Sequence, residues 1–200
     1  MDPAFHPCAS AQVCRQYQAK QERELAEKAE KSDAYVKLAR ASVESWVRDR
    51  RVLPLPKDLP AELTARRAGA FVSIHKNGQL RGCIGTISAA EDCLAEEIIQ
   101  NAVSASSRDP RFSPITPDEL KYLEISVDVL GEAEPVDSPD KLDVKRYGVI
   151  VTRGRKRGLL LPDLDGVDTV EEQIRIAKRK AGIREEEDAD LERFEVVRHD

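Results

Sequence analysis

The sequence predicts an α+β fold with a mainly antiparallel sheet flanked by helices. Three observations predict it. Asn77-Gly78 joins two alternating apolar runs, as a type I′ hairpin turn does, because both of its central residues need positive φ. Arg153 to Gly158 separates a second pair of short apolar runs. Segments of helical period lie before, between and after these hairpins, and hairpins demand antiparallel pairing. No strand, glycine loop and helix follow one another in the manner of a βαβ phosphate-binding unit.

Composition bounds the class. The 200 residues suit one domain, or one domain with a small appendage. Charged residues make up 34% of the chain, yet the apolar positions remain periodic, which disordered chains lack. A net charge of -5 and 4% aromatic content argue against a general nucleic-acid binder, which needs a basic face and stacking platforms. No apolar run approaches the roughly 20 residues that span a membrane. Residues Met1 to Ser10 lack the basic start and apolar stretch of a signal peptide, so the expected location is cytoplasmic. Cys8, Cys14, Cys83 and Cys93 form no metal-ligand spacing, and free thiols are expected in a reducing compartment.

The elements follow in order. Met1 to Gln16 reads as an irregular arm, and Gln18 to Lys31, rich in Ala, Glu, Lys and Arg, as a wet-surfaced helix. Residues 1–31 therefore stand apart from a domain over 32–200. Ser32 or Asp33 caps a second helix, whose Tyr35, Leu38, Ala39, Ser42, Val43, Trp46 and Val47 share one stripe. Pro54, Pro56 and Pro60 keep Leu53 to Glu62 extended. Gly69 to His75 and Gln79 to Ile87 are the first two strands. Ala90 to Ser107 is a helix with Leu94, Ile98, Ala102 and Ala105 inward, ended by Asp109-Pro110. Thr116 to Leu120 starts one helical turn. Leu123 to Leu130 alternates as a half-buried strand. Tyr147 to Thr152 and Leu159 to Leu161 form the second hairpin. Thr169 and Glu172 make a capping box for a helix over Val170 to Ala181, and Gly182 ends it. Arg193 to Val197 closes the chain as a short strand.

The most site-like segment is Leu80-Arg81-Gly82-Cys83-Ile84-Gly85. Glycine within a strand marks a bulge or a close approach by backbone or ligand. Arg81 offers a forked cation to a carboxylate or phosphate. A neighbouring cation also makes a thiol more nucleophilic. Against this stands a plain reading, in which Cys83 is a small buried strand residue. With a regular two-residue turn, Ile74 faces Arg81 and Val72 faces Cys83, so His75 lies on the opposite face from Cys83. A bulge would reverse that parity. Asp109 and Arg111 form a second polar cluster, readable as site neighbours or as a routine turn. The basic turn Arg153 to Arg157 reads as a solvated hairpin tip or as a phosphate grip. His6 and His199 have no ligand-like spacing, and neither a metal nor a cofactor is expected.

These residues resemble a known family. The signature Leu80 to Gly85 is similar to that of the AMMECR-type domain family. Asp109-Pro110-Arg111-Phe112, Ser126-Val127, Gly148-Val149-Ile150-Val151, Leu159-Leu160-Leu161-Pro162, Glu172-Gln173-Ile174 and Lys180-Ala181-Gly182 follow in the family's order. The resemblance covers roughly Asp33 to His199. The ending Arg193 to His199 is similar to the branch called AmmeMemoRadiSam system protein A. The resemblance implies a larger sheet domain with a smaller appended lobe. It implies partners, a Memo-like protein and a radical SAM protein, and a role in modification chemistry or regulation, with no defined reaction. Carried onto this sequence, the site is Arg81, Gly82, Cys83 and Gly85, with Asp109 and Arg111 beside it. In the enzyme reading Cys83 is nucleophile or covalent carrier and Asp109 orients or accepts a proton. Arg81, with Gly82, Gly85 and Arg111, binds substrate. The other readings are a binding or scaffold protein and, on Arg153 to Arg157, a nucleotide or nucleic-acid binder. Met1 to Lys31 has no family counterpart.

Overall fold

The computed structural model describes residues 11–200, with side chains from residue 14 onward. The structure has two four-stranded antiparallel sheets, each with its own helices, joined through a shared apolar cluster. The helices are α1 (Ala11–Lys31), α2 (Ala34–Asp49), α3 (Ala61–Thr64), α4 (Leu94–Ser107) and α5 (Val170–Ala181). The strands are β1 (Ala70–Lys76), β2 (Gln79–Gly85), β3 (Leu123–Leu130), β4 (Glu134–Val136), β5 (Gly148–Arg153), β6 (Lys156–Leu160), β7 (Asp190–Phe194) and β8 (Val196–His199). The first sheet runs β2-β1-β3-β8 and the second β4-β7-β5-β6. The fold is thus α+β with antiparallel sheets, as the hairpin signals require.

The larger lobe is built on the first sheet. Asp33 caps α2 by accepting hydrogen bonds from the backbone of Tyr35 and Val36. The buried stripe of α2 and the apolar face of α4 cover one side of the sheet, where Ala70, Val72, Ile74, Ile125 and Val127 point inward. The alternation of β1 and β3 has this cause: one face meets helices and the other does not. The smaller lobe packs α5 against β5 and β6, around Val149, Val151, Leu160 and Ala177. Thr169 and Gly182 bound α5 as expected, the glycine in the left-handed region at φ 69°.

The chain's end departs from expectation. Arg193 to Val197 is not one strand. β7 completes the second sheet, then Glu195 breaks the run and β8 joins the first sheet beside β3. The Gly131 N–H donates to the Glu195 carbonyl at 2.8 Å, which stitches the crossover. A small apolar cluster of Leu130, Ile150, Leu159 and Phe194 seals the two lobes together. Residues 11–16, expected as part of an irregular arm, extend α1 instead. The rest of that arm, with Cys8, lies outside the described residues. Cys14 is in a disulfide, contrary to the expected free thiol, whereas Cys83 and Cys93 are free. No helix among the described residues is long and apolar enough to cross a membrane.

Phe194 is 2% exposed and sits at the junction of both lobes. Phe194→Ala is expected to lower unfolding free energy by about 3–5 kcal/mol, the usual range for deleting a buried aromatic ring. Urea denaturation followed by circular dichroism measures it. A loss below about 1 kcal/mol would mean the lobes do not depend on this cluster.

Candidate functional site

The β1–β2 hairpin carries the signature segment. Asn77 and Gly78 have φ of 52° and 75°, so the turn is of the expected left-handed kind. The register is regular for Lys76↔Gln79 and His75↔Leu80, then shifts. Ile74 pairs with Gly82, Ser73 with Cys83, and Val72 with Ile84. Arg81 is the extra residue of a β-bulge. The bulge reverses the parity expected from a regular hairpin. Cys83 shares a face with Ser73 and His75, away from the helices, and Gly82 takes the helix-facing position.

Each signature residue has a local reason. A side chain at Gly82 would place its Cβ 2.2 Å from the Ala105 carbonyl oxygen of α4, so only glycine lets strand and helix approach. At Gly85 the Cβ would lie 2.2 Å from the Phe71 ring. Both glycines are therefore explained by packing. Arg81 turns out of the cleft that Cys83 faces. Its guanidinium grips Glu119 through Nε at 3.1 Å and Nη2 at 3.0 Å, and Nη1 donates to the Ser113 carbonyl at 2.8 Å. Lys76 Nζ completes the cluster, 2.8 Å from Glu119. Arg81 is thus an internal anchor, and the expected substrate-binding role does not fit its geometry. Burial raises the pKa of Glu119, but hydrogen bonds from Arg81, Lys76 and the Thr116 backbone outweigh it and pull the carboxyl down to about 2.

Asp109 and Arg111 do come beside Cys83. β2 is an edge strand, so the outer N–H and C=O of Cys83 lack a strand partner. Asp109 Oδ2 accepts the Cys83 N–H at 2.9 Å, and Arg111 Nη2 donates to the Cys83 carbonyl at 3.2 Å. The two side chains substitute for a missing strand at this one residue. They also hold each other, through Arg111 Nε to Asp109 Oδ1 at 3.0 Å and Nη2 to Oδ2 at 2.8 Å. The Arg111 guanidinium keeps the Asp109 carboxyl far below the usual carboxylate range, against the effect of burial and with help from the Cys83 N–H. Both oxygens of Asp109 are thus occupied, Oδ1 by the Arg111 backbone N–H and Nε and Oδ2 by the Cys83 N–H and Arg111 Nη2.

Cys83 opens onto a cleft of about 570 Å³ between the lobes. Its Sγ accepts a hydrogen bond from Ser73 Oγ at 3.2 Å. His75, Ser126, Asp128 and Arg198 line the cleft on the first sheet, and Leu159, Leu160, Leu161 and Lys180 line it on the second lobe. Arg198 pairs with the buried Asp128 at 2.8 Å, and Lys28 of α1 with Glu124 at 2.9 Å. Sequence reading set His75 on the other face and passed over Ser73, Asp128 and Lys180 as site residues. For Lys180 the available signal was the Lys180-Ala181-Gly182 match, about a hundred residues from Cys83 in the chain. The basic turn lies elsewhere and is largely neutralised. Arg157 pairs with Glu192, Arg153 with Glu187, and Lys156 donates to the Gly182 carbonyl. Among the described residues no three His, Cys, Asp or Glu side chains converge as a metal site.

The comparisons with known proteins decide the family. A family model described as AMMECR1 matches residues 36–199. The chain belongs to the AMMECR1 family. It is 53% identical over 167 residues to a Thermotoga maritima protein, covering 82% of this chain and 96% of that one. A Clostridium acetobutylicum protein is 49% identical over 177 residues, covering 88% of this chain but only 38% of that longer protein. The crystal structure of an uncharacterized protein from Pyrococcus horikoshii superposes with a TM-score of 0.77 at 31% identity, covering 82% of this chain and 88% of that one. The AMMECR1 match begins at residue 36, so α1 lies outside it. α1 docks through polar contacts: Gln21 with Asn77, Glu22 with Tyr122 and Lys121, and Lys28 with Glu124.

The Glu119 cluster makes stability acid-sensitive. Its folded pKa is depressed from 4.5 to about 2, so its contribution is complete above about pH 4.5 and is lost as pH falls toward 2. Glu119→Gln is expected to reduce stability at neutral pH and to flatten this part of the acid-denaturation profile. Urea midpoints measured between pH 7 and 2 test it. An unchanged slope in the variant would remove Glu119 as the source.

Proposed function

We propose that this AMMECR1-family protein is a component of a modification or regulatory system, acting with a Memo-like protein and a radical SAM protein. Its contribution is a site centred on Cys83, whose thiol serves as nucleophile or covalent carrier. One observation carries the reading: a bulge turns this thiol out of the core and into a cleft between two lobes, where Ser73, Arg111 and Lys180 surround it. A buried structural cysteine needs no such exposure, and Cys93 at the start of α4 shows that alternative in the same chain, at 8% exposed. The relative from Clostridium acetobutylicum, in which the matched region is only 38% of the length, supports work alongside further protein segments.

A second reading has its own support. Arg81, Asp109 and Glu119 are all committed to holding the hairpin, and a cleft wall braced in this way suits a docking protein as well as a catalyst. Nucleotide or nucleic-acid binding is weaker, because acidic neighbours occupy most cations of the 153–157 turn.

Intact-mass spectrometry after incubation with both partner proteins separates the readings. The wild-type chain is expected to carry a thiol-dependent adduct on Cys83. Cys83→Ser is expected to bind the partners equally and to carry none. A wild-type chain that binds them while staying unmodified would overturn the covalent role and favour docking alone.

A further inference from the structure

The cleft holds four cations, and they are not equivalent. Lys28 and Arg198 are neutralised by Glu124 and Asp128. Arg111 spends Nε and Nη2 on Asp109 and the Cys83 carbonyl, yet its Nη1 has no hydrogen bond among the described residues, and its side chain is 55% exposed. Lys180, in the last turn of α5, has neither ion pair nor hydrogen bond among the described residues. The remaining carboxylate on the cleft wall, Asp200, also borders hollows beside Lys28 and Ser32, which sets it at the α1 end. Around the thiol the unspent groups are therefore donors and positive charge.

We infer that the Cys83 cleft takes a small anionic ligand, a carboxylate or phosphate, held between the Lys180 ammonium and the free edge of Arg111 with its adjacent atoms presented to Cys83. This rests on the Cys83-centred reading and adds the charge class of the substrate. Three arguments support it. Lys180 belongs to the smaller lobe and Arg111 to the larger, so an anion between them would be bound by both. Although Lys180 is exposed as a whole residue, protein surrounds its ammonium closely enough for desolvation to lower its pKa, with Arg111 adding repulsion and Cys83 opposing both. Two cations that line one cleft and repel each other are relieved by an anion placed between them. Finally, with Glu124 and Asp128 paired and Asp200 at the α1 end, the charge left beside the thiol is positive, and such a patch between low-dielectric walls concentrates the opposite ion.

Two alkylating probes of different charge test the assignment on the full-length protein. Iodoacetate is anionic and iodoacetamide neutral. Both react by the same displacement: the Cys83 S–C bond forms, the C–I bond breaks, iodide leaves and the thiol proton goes to solvent. Rates at Cys83 are read by peptide mass spectrometry and expressed as the iodoacetate-to-iodoacetamide ratio, with free cysteine as reference. At low salt the wild-type ratio is expected to exceed the reference by roughly tenfold or more. High salt should collapse the excess. Lys180→Gln should bring the ratio within about twofold of the reference and Lys180→Arg should retain it, because the loss is one of local charge. Lys37→Gln, an equal charge change on α2 outside the cleft, should leave the ratio as in wild type. Inorganic phosphate and acetate, added separately, should slow iodoacetamide labelling. The stronger protector identifies the oxyanion class, and protection by neither counts against the inference. A wild-type ratio equal to that of free cysteine, or one indifferent to Lys180→Gln, overturns the anion assignment and leaves the Cys83 site standing. Labelling by neither probe overturns both.

Discussion

A single extra residue in β2 governs which way the Cys83 thiol faces. A β-sheet alternates its side chains, so inserting Arg81 opposite the Ile74–His75 step turns every residue beyond it to the other side. Without the bulge Cys83 would lie against α4, where Gly82 now sits. With it, the thiol joins Ser73 and His75 on the open face. The bulge is stable because both of its consequences are accommodated. Gly82 allows α4 to approach within reach of its backbone, and Arg81 finds Glu119, Ser113 and Pro114 on the helix side.

An edge strand with a bulge has unpaired backbone groups, and the Asp109–Arg111 pair meets that need at Cys83. Carboxylate and guanidinium together offer one acceptor and one donor, the same pairing that a neighbouring strand supplies. Charge-assisted hydrogen bonds are stronger than neutral ones, so two side chains can do what a strand would do. The cation that steadies the backbone also faces the cleft. Arg111 thus serves the backbone and borders the cleft at once, while both oxygens of Asp109 are taken up by the hydrogen bonds that hold Cys83 and Arg111.

The second lobe completes the cleft. The crossover at Glu195 sends consecutive strands into different sheets, and Phe194 with its neighbours fills the space between them. That arrangement carries Leu159 to Leu161 and the end of α5 toward the face of the first sheet that no helix covers. Lys180 thereby reaches the neighbourhood of a cysteine some hundred residues earlier in the chain.

Local signals were sufficient for much of this. Asn77-Gly78 set a hairpin, Thr169 and Gly182 bounded α5, the stripe on α2 marked its buried face, and the signature around Cys83 pointed to the AMMECR1 family. Each depends on residues within a few positions of one another, or on a short motif. The roles of Arg81 and His75 were not legible, because side-chain parity depends on a bulge that is stabilised by α4 and Glu119, far away in sequence. Nor was the division of Asp190 to His199 between two sheets, since β7 and β8 differ little in pattern and are sorted by their pairing partners, β4 and β5 for one and β3 for the other. By itself, then, the sequence determined most of the elements, their antiparallel class and the segment that bears the thiol. Only the tertiary structure decided which way that thiol faces and which cations meet it, because both follow from contacts between segments that share no local pattern.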